Sequence, residues 1–516
     1  MLKGGRLAGV AMLAGMSSVL AFEPFGWFPI AFLSLAVLVA LIERAPAARW
    51  GFVAGFGWGL GAFVAGVSWL YVALNRYGGV PMPLAALAIV LFCAYLALFP
   101  ALACAAYAWL RRRSGLLSAA LFAACWVLGE LLRGWLFTGF PWLAIGYSQT
   151  PPSPLAGFAP VLGIYGLGGL VALGSAILGL TAWRAPGGWR SPAVTVLLLG
   201  VGGQWLHGAS WSQPFGDPVR VALVQTSIEQ DLKWEPEHLA RSLTINAELS
   251  DVAEADLVVL PETTLPLLVE NVPRSYLDGL SSRARERSAD LVVGVFRRDE
   301  EGRIYNAAMS FGASAPQHYA KQHLVPFGEF SPPLFGWFYR LANIPMSDQS
   351  PGRSDQRPME LAGQRIAVNI CYEDLFGREL LRTLPEATLM LNLSNLAWYG
   401  DSIAQPQHLQ IARMRALETG RPMLRATNTG MTALVLPDGQ VEAVLPAFER
   451  GVLQVTVRGH EGLTPYARWG DGLAGMLAVL IVGTCAMNAR RKDRAILREH
   501  AGTHPCRDFD RDAESQ

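Results

Sequence analysis

Residues 364–374 read QRIAVNICYED, and the rest of the chain is organised around them. The apolar run 366–370 is rich in β-branched residues, which predicts a strand covered on both faces. Cys371 follows at once, and the residues after Asp374 have apolar side chains at helical spacing, which predicts a helix that begins near this aspartate. Cys371 is therefore expected at a strand-to-helix turn, where backbone N–H groups stabilise a thiolate or an oxyanion. A small buried core residue is the alternative interpretation.

The composition divides the chain into two parts. Hydrophobic residues make up 52% of the 516 residues and charged residues only 16%, against about 25% charged in an average soluble protein. Residues 1–210 carry 11 basic and 3 acidic side chains, whereas the sequence after residue 217 has ordinary soluble composition. The chain is therefore expected to join a membrane block to a globular domain. Its net charge of +1 argues against a general nucleic-acid binder.

Eight apolar stretches are predicted to span the membrane, since a crossing helix needs about 20 residues. They are residues 7–22, 26–42, 50–74, 82–110, 115–136, 155–183, 192–208 and 470–488. The predicted organisation is a block of seven helices over 1–214, a catalytic domain over 215–460, a last helix over 466–489 and a charged tail over 490–516. Basic residues occur in alternate loops, so the positive-inside rule places both termini in the cytoplasm and the domain outside it.

Strands and helices alternate within the globular domain. The predicted strands include 219–227, 255–263, 289–298, 366–370, 388–395 and 452–457, and the predicted helices include 236–249, 275–287 and 407–419. This alternation predicts an α/β layered sheet. Cys371 is the only cysteine of the domain, so no internal disulfide is expected there, and the chain has no Cys/His spacing typical of zinc sites.

Three titratable residues lie at or near predicted strand ends, namely Glu262 in LVVLPE, Lys321 in HYAKQHLVPFGEF and Cys371 in IAVNIC. In α/β sheets the carboxyl ends of strands line the functional site. A glutamate with a raised pKa can take the proton of a thiol, and a nearby ammonium favours the thiolate and stabilises an oxyanion. The three side chains together suffice for acyl transfer through a thioester. A capping glutamate, a solvated lysine and a core cysteine remain the alternative.

The order LPET, YAKQHLVPFGEF and NICYED resembles the carbon–nitrogen hydrolase (nitrilase) superfamily, with its Glu-Lys-Cys triad, over about residues 219–458. The membrane block, and CYE after the strand, narrow the resemblance to the apolipoprotein N-acyltransferase family. The resemblance implies a polytopic helical bundle with an extracytoplasmic α-β-β-α sandwich. It also implies Glu262 as general base, Lys321 as oxyanion stabiliser and Cys371 as nucleophile.

The resemblance implies further site residues. Glu329 matches a second glutamate near the lysine, Tyr372 and Glu373 match positions needed beside the nucleophile, and Trp234 matches a tryptophan on a loop near the site. A loop acid, a packing tyrosine, a helix cap and a core tryptophan are the respective alternatives. Asparagines at strand ends carry little weight as site residues: Asn306, Asn392 and Asn395.

The implied reaction moves a fatty acyl chain from the sn-1 position of a phospholipid, with phosphatidylethanolamine the expected donor, to Cys371. The acyl chain then passes to the N-terminal α-amine of an S-diacylglyceryl-cysteine lipoprotein. The resemblance implies no metal and no cofactor, a monomer, and a place in the cell inner membrane with the domain on the periplasmic side. Aromatic residues at 333–345 and 395–400 suit an interface that admits acyl chains, and the segment 330–365 suits a mobile lid.

Other functions stay open at this stage. A membrane-tethered nitrilase-type amidase would use the same three residues and let water resolve the thioester. A transporter or scaffold with a sensor domain would not need them, and an acyl-CoA-dependent transferase would find no donor outside the cytoplasm. Glu130 and Arg133 share a helix face in an apolar span, so they form either a functional or a structural pair.

Overall fold

The computed structural model describes residues 4–45, 47–111, 115–181, 190–233, 236–252, 254–331 and 348–502. Two sequence predictions lie outside these ranges, the role of Trp234 and the aromatic segment 333–345, and so do residues 332–347 of the predicted lid 330–365.

The N-terminal part is a bundle of apolar helices. In chain order they are α1 (Gly4–Ser18), α2 (Pro29–Arg44), α3 (Ala48–Val67), α4 (Met82–Leu110), α5 (Gly115–Arg133), α6 (Ala159–Thr181) and α7 (Arg190–His207). Glycines let α1 and α3 pack with their backbones in contact. A Cβ at Gly15 would lie 1.9 Å from the Trp58 carbonyl oxygen, and one at Gly61 would lie 2.1 Å from that of Met12. Such close crossings at small residues are typical of helices that associate within a membrane.

A helix occupies each of the eight predicted membrane stretches, but six of the described helices are long and apolar enough to cross a membrane. These six are Gly4–Ala21, Ala48–Val67, Met82–Leu110, Gly115–Arg133, Pro154–Thr181 and Gly472–Ala489. The α2 helix has only 16 residues, about 24 Å of helix against a bilayer core of about 30 Å. The α7 helix has 18 residues with Arg190 and His207 at its ends. Six described helices therefore meet this measure of length and composition, and the prediction of about eight spans holds as an approximate count.

The globular part contains two mixed sheets. Its strands are β1 (Gln213–Gln225), β2 (Leu257–Val259), β3 (Leu265–Leu268), β4 (Asp290–Arg298), β5 (Ile304–Gly312), β6 (His318–Ala320), β7 (Met359–Leu361), β8 (Gln364–Ile370), β9 (Leu389–Ser394), β10 (Met423–Thr427), β11 (Ala433–Val435), β12 (Val441–Val444) and β13 (Gly451–Glu461). The first sheet has the order β13-β1-β2-β4-β5-β6, with β3 beside β4, and the second has the order β12-β11-β10-β9-β8-β7. Parallel pairs, β1–β2–β4 and β8–β9–β10, form the centre of each sheet.

Helices cover the outer faces of the two sheets. The remaining helices are α8 (Gln230–Lys233), α9 (Pro236–Leu249), α10 (Arg274–Glu286), α11 (Gly377–Leu380), α12 (Ala404–Thr419), α13 (Pro465–Trp469) and α14 (Gly472–Gly502). The sheets face each other across one apolar core, to which Leu223 and Leu391 belong. Leu280 of α10 packs on the first sheet and Leu409 of α12 on the second. This arrangement is the predicted α-β-β-α sandwich, and the predicted fold class is confirmed.

The prediction of a helix that begins near Asp374 is wrong. A 3₁₀ turn, Cys371–Leu375, and the four-residue α11 stand in its place. The carboxylate of Asp374 does not cap a helix, because it accepts hydrogen bonds from His408 Nε2 at 2.7 Å and Arg425 Nη1 at 3.2 Å. Long-range hydrogen bonds to the buried side chains of His408 and Arg425 therefore override the local helical pattern.

The sandwich rests against the membrane block through polar and aromatic contacts. Trp142 Nε1 donates to Gln407 Oε1 of α12 at 2.8 Å. The ring of Tyr399 packs on Trp69 with 4.5 Å between ring centroids. Part of the aromatic stretch 395–400 therefore lies at the junction between the two parts of the chain.

Candidate active site

Glu262 lies three residues beyond the end of β2 and is buried. Asn306 Nδ2 on β5 donates to Glu262 Oε1 at 2.8 Å, and the backbone N–H of Asn395, just after β9, donates to Glu262 Oε2 at 2.7 Å. A Cβ on Gly294 of β4 would lie 2.7 Å from the Glu262 Cα, so only glycine lets the two backbones approach this closely. The carboxylate is thus held by both sheets, which is the precision a general base requires.

Lys321 follows β6 and places its ammonium between two carboxylates. Its Nζ lies 2.7 Å from Glu329 Oε1 and 3.5 Å from Glu262 Oε1, and the lysine side chain is 1% exposed. Burial by itself would lower the pKa of Lys321, but Glu329 and Glu262 outweigh burial, so the pKa is raised and the ammonium stays protonated. The site therefore holds a fixed positive charge.

Cys371 is the first residue after β8 and is 8% exposed. Its φ of 54° is in the left-handed region, which L residues rarely adopt, and such strain is common at functional turns. Burial raises the pKa of the thiol well above its ordinary value, and the Glu262 charge adds to this effect. The charge of Lys321 and the backbone N–H of Asn395 lower the pKa of the thiol and so oppose this rise. The thiol therefore needs a base to become a nucleophile.

Glu373 links the nucleophile's turn to the lysine segment. Its Oε2 accepts from the backbone N–H of Ile370 at 2.6 Å, and its Oε1 accepts from the N–H groups of Gln322 at 2.6 Å and His323 at 3.1 Å. Burial raises its pKa to about 7, and the three backbone N–H groups oppose that shift. Glu373 therefore holds the turn beside Cys371, and its carboxylate is occupied by these bonds.

Tyr372 connects the nucleophile's turn to the membrane block. Its hydroxyl donates to the carbonyl oxygen of Gly139 at 2.9 Å. Arg133 at the end of α5 donates to the carbonyl oxygen of Trp142 at 2.7 Å, and Glu130 accepts from the backbone N–H of Ile145 at 2.8 Å. Glu130 and Arg133 are 3.9 Å apart. This pair thus braces the loop that Tyr372 contacts.

Four residues of the site received little or no weight from the sequence: Asn306, Asn392, Asn395 and Arg425. Asn306 and Asn395 both hold Glu262. Asn392 donates to the Cys371 carbonyl oxygen at 3.1 Å and accepts from Arg425 at 3.2 Å. The only local signal for the asparagines is their position at or near strand ends. No signal in the sequence points to Arg425, because its partners are distant along the chain.

The geometry suits covalent acyl transfer. A buried thiol, a buried carboxylate and a protonated lysine lie just after β8, β2 and β6, near enough for the charges of Glu262 and Lys321 to act on the pKa of Cys371. Among the described residues, no group of three or more His, Cys, Asp or Glu side chains is placed to hold a metal ion. The chemistry that these side chains can perform is attack on an acyl carbon with the oxyanion held by Lys321.

Comparison with known proteins bears on both parts of the chain. A family model described as "Apolipoprotein N-acyltransferase N-terminal domain" matches residues 14–177, and one described as "Carbon-nitrogen hydrolase" matches residues 220–464. An apolipoprotein N-acyltransferase of Nitrosomonas europaea is 47% identical, over 93% of this chain and 98% of the relative. An apolipoprotein N-acyltransferase of Chromobacterium violaceum is 45% identical, over 89% of this chain and 90% of that relative. The solved C. elegans NitFhit protein aligns at 17% identity with a TM-score of 0.38, over 47% of this chain and 61% of that one.

The two-sheet sandwich and the second family match define the class: a carbon–nitrogen hydrolase domain carried by a membrane-spanning helical block. Within that class the chain belongs to the apolipoprotein N-acyltransferase family. These findings confirm the family and the enzyme class, an N-acyltransferase, that the sequence predicted. The roles of the individual site residues stay predictions.

Proposed function

We propose that the chain transfers a fatty acyl chain from the sn-1 position of a phospholipid to the N-terminal α-amine of a diacylglyceryl apolipoprotein, through a thioester on Cys371. The observation that carries the proposal is the position of Lys321 between Glu262 and Glu329, beside a buried thiol and next to the membrane block. Both substrates are lipid-anchored, so a site held against a membrane bundle can meet them at the bilayer surface.

The first half-reaction forms the thioester. Glu262 takes the proton of Cys371, and the thiolate attacks the ester carbonyl carbon. Lys321 stabilises the oxyanion that develops. When the intermediate collapses, the ester C–O bond breaks, and Glu262 returns the proton to the departing lysophospholipid oxygen.

The second half-reaction releases the acyl chain. The neutral α-amine of the lipoprotein attacks the thioester carbonyl carbon, and Glu262 takes a proton from the nitrogen. Lys321 again holds the oxyanion, the C–S bond breaks, and the proton on Glu262 returns to the Cys371 sulfur. The products are a triacylated lipoprotein and the free enzyme, ready for another phospholipid.

The orientation and donor belong to the same proposal. The basic loops support a chain in the cell inner membrane with cytoplasmic termini and a periplasmic domain. Phosphatidylethanolamine is the proposed donor, and the protein is proposed to act as a monomer. An amidase that uses the same residues would not require lipid-anchored substrates. The family match over residues 14–177 lies in the membrane block, which supports the acyltransferase and not the amidase.

Intact-mass spectrometry of the purified protein tests the proposal. After incubation with a phosphatidylethanolamine whose sn-1 and sn-2 chains differ in mass, we expect one hydroxylamine-labile adduct with the sn-1 mass. Cys371→Ala should show none, and Cys93→Ala, which removes a buried thiol in α4, should acylate like wild type. A diacylglyceryl peptide with a free N-terminus should then remove the adduct. An active preparation without any adduct would contradict the thioester mechanism.

A further inference from the structure

A second buried lysine contacts the segment that carries Glu262. Lys233 ends the short helix α8 and is 3% exposed. Its Nζ donates to Thr263 Oγ1 at 2.7 Å and to the backbone carbonyl oxygen of Glu262 at 3.3 Å. The φ of Thr263 is 47°, so the backbone turns sharply at the residue after the proposed base. Lys233 thus binds both residues of a strained turn.

The same helix also supports the opposite side of Glu262. Gln230 Oε1 accepts from the side-chain amide of Asn395 at 2.9 Å. The backbone N–H of Asn395 in turn donates to Glu262 Oε2 at 2.7 Å. Consequently α8 holds the backbone of the proposed base through Lys233 and supports a donor to its carboxylate through Gln230.

Burying an ammonium opposes folding, so its presence needs a reason. Burial lowers the pKa of Lys233 to about 7, and the charge of Glu262 works against this shift. An apolar side chain of similar length would avoid the desolvation but would leave the Glu262 carbonyl and the Thr263 hydroxyl without their donor. Retention of a lysine here is expected where accurate placement of a catalytic side chain matters more than stability.

We propose that Lys233 is a positioning residue for Glu262, and that α8 acts as a clamp on the turn and the carboxylate of the general base. This inference rests on the proposed role of Glu262. Because Glu262 moves protons in both half-reactions, loss of the clamp slows both thioester formation and thioester discharge. Binding of phospholipid is unaffected, since Lys233 contacts the turn and not the thiol.

The test compares Lys233→Met with wild type in single-turnover experiments that follow the Cys371 adduct by mass. We expect both the acylation rate and the amine-dependent discharge rate to fall at least tenfold, while the phospholipid concentration giving half-maximal rate changes less than twofold. The melting temperature should not fall. Asp231→Asn is the matched control, because it removes only the exposed ion pair of α8 with Arg76 at 2.9 Å, and it should keep wild-type rates.

Thr263→Val is the second variant, because it removes one acceptor of the Lys233 ammonium and keeps the β-branched shape of the side chain. It should slow both half-reactions at least threefold, and the double variant should be no slower than Lys233→Met alone. Rates within twofold of wild type in either single variant would overturn the inference. If wild type itself forms no adduct, the proposed function fails; if wild type acylates and either variant matches it, only the clamp fails.

Discussion

At the scale of single residues, the proposed base is the side chain whose chemistry is most directly testable. Glu262→Gln keeps the shape of the side chain and an oxygen that can accept from Asn395 or Asn306, but it cannot take a proton. We expect thioester formation to fall at least about 10²-fold with little change in melting temperature.

Glu270→Gln is the control for that variant, because Glu270 is 43% exposed and pairs with Arg298, which is 45% exposed. It should acylate at the wild-type rate. Single-turnover mass spectrometry measures the acylation rates of both variants. A Glu262→Gln protein that acylates at the wild-type rate would remove Glu262 from the mechanism.

The lowered pKa of the buried Lys233 side chain also predicts how the stability of the protein changes with pH. Its pKa is about 7 in the folded protein, against 10.5 for an ordinary lysine, so the unfolded chain binds more protons between these values. The free energy of unfolding therefore rises with pH across that window, by at most about 1.4 kcal/mol per pH unit. The same stability is lost as the pH falls towards 7.

The difference in melting temperature between wild type and Lys233→Met, measured from about pH 7 to about pH 9, checks this prediction. Wild type should gain stability relative to the methionine variant as the pH rises. A difference that stays constant with pH would mean that the lysine is not desolvated in the folded protein.

At the scale of elements, a buried ionic network supports the turn after β8. Asp374, Arg425 and His408 have side chains at most 1% exposed. Burial and the charge of Arg425 lower the pKa of His408. The imidazole is therefore neutral, accepts from Arg425 at Nδ1 and donates to Asp374 from Nε2. Arg425 also reaches Asn392, which donates to the carbonyl of Cys371.

Asp374→Asn would leave Arg425 as a buried cation without its carboxylate. We expect a loss of about 3–5 kcal/mol in the free energy of unfolding, seen as a large drop in melting temperature. Asp256→Asn provides the comparison, since Asp256 pairs with Arg220 at 37% and 56% exposure and should lose about 1 kcal/mol or less. Equal losses in the two variants would show that the network does not support the sandwich.

At the scale of the whole molecule, Tyr372 ties the nucleophile's turn to the membrane block through Gly139. Tyr372→Phe removes one hydrogen bond, worth about 1 kcal/mol. We expect several-fold slower thioester formation from phospholipid in a bilayer, while alkylation of Cys371 by iodoacetamide stays within twofold of wild type.

Tyr305→Phe is the control at that scale, because its hydroxyl donates to Asp299 in the turn between β4 and β5. It should affect neither rate. If Tyr372→Phe slowed alkylation and acylation equally, the tyrosine would act on the thiol itself and not on the contact with the membrane block.

How well the sequence predictions agree with the structure differs from one element to another. The strands β8 and β9 match their predictions closely, because a short apolar run with β-branched residues has few other stable conformations when buried. The helix predicted at Asp374 was wrong, since its carboxylate pairs with His408 and Arg425, 34 and 51 residues away. A helix forms in each of the eight predicted membrane stretches, and six of these helices are long and apolar enough to cross by length and composition.

The sequence by itself determined the division into a membrane block and an α/β domain, the sandwich fold and the family. The division follows from composition and hydrophobic periodicity, and the sandwich and the family follow from the resemblance that three contiguous motifs carry. Only the tertiary structure decided what surrounds Glu262: Asn306, Asn395 and Lys233 reach it from separate strands and helices. The physical reason is that such hydrogen bonds join residues distant in sequence: the bond from Asn306 needs the first sheet to be assembled, and the bond from Asn395 exists only once the two sheets have packed face to face.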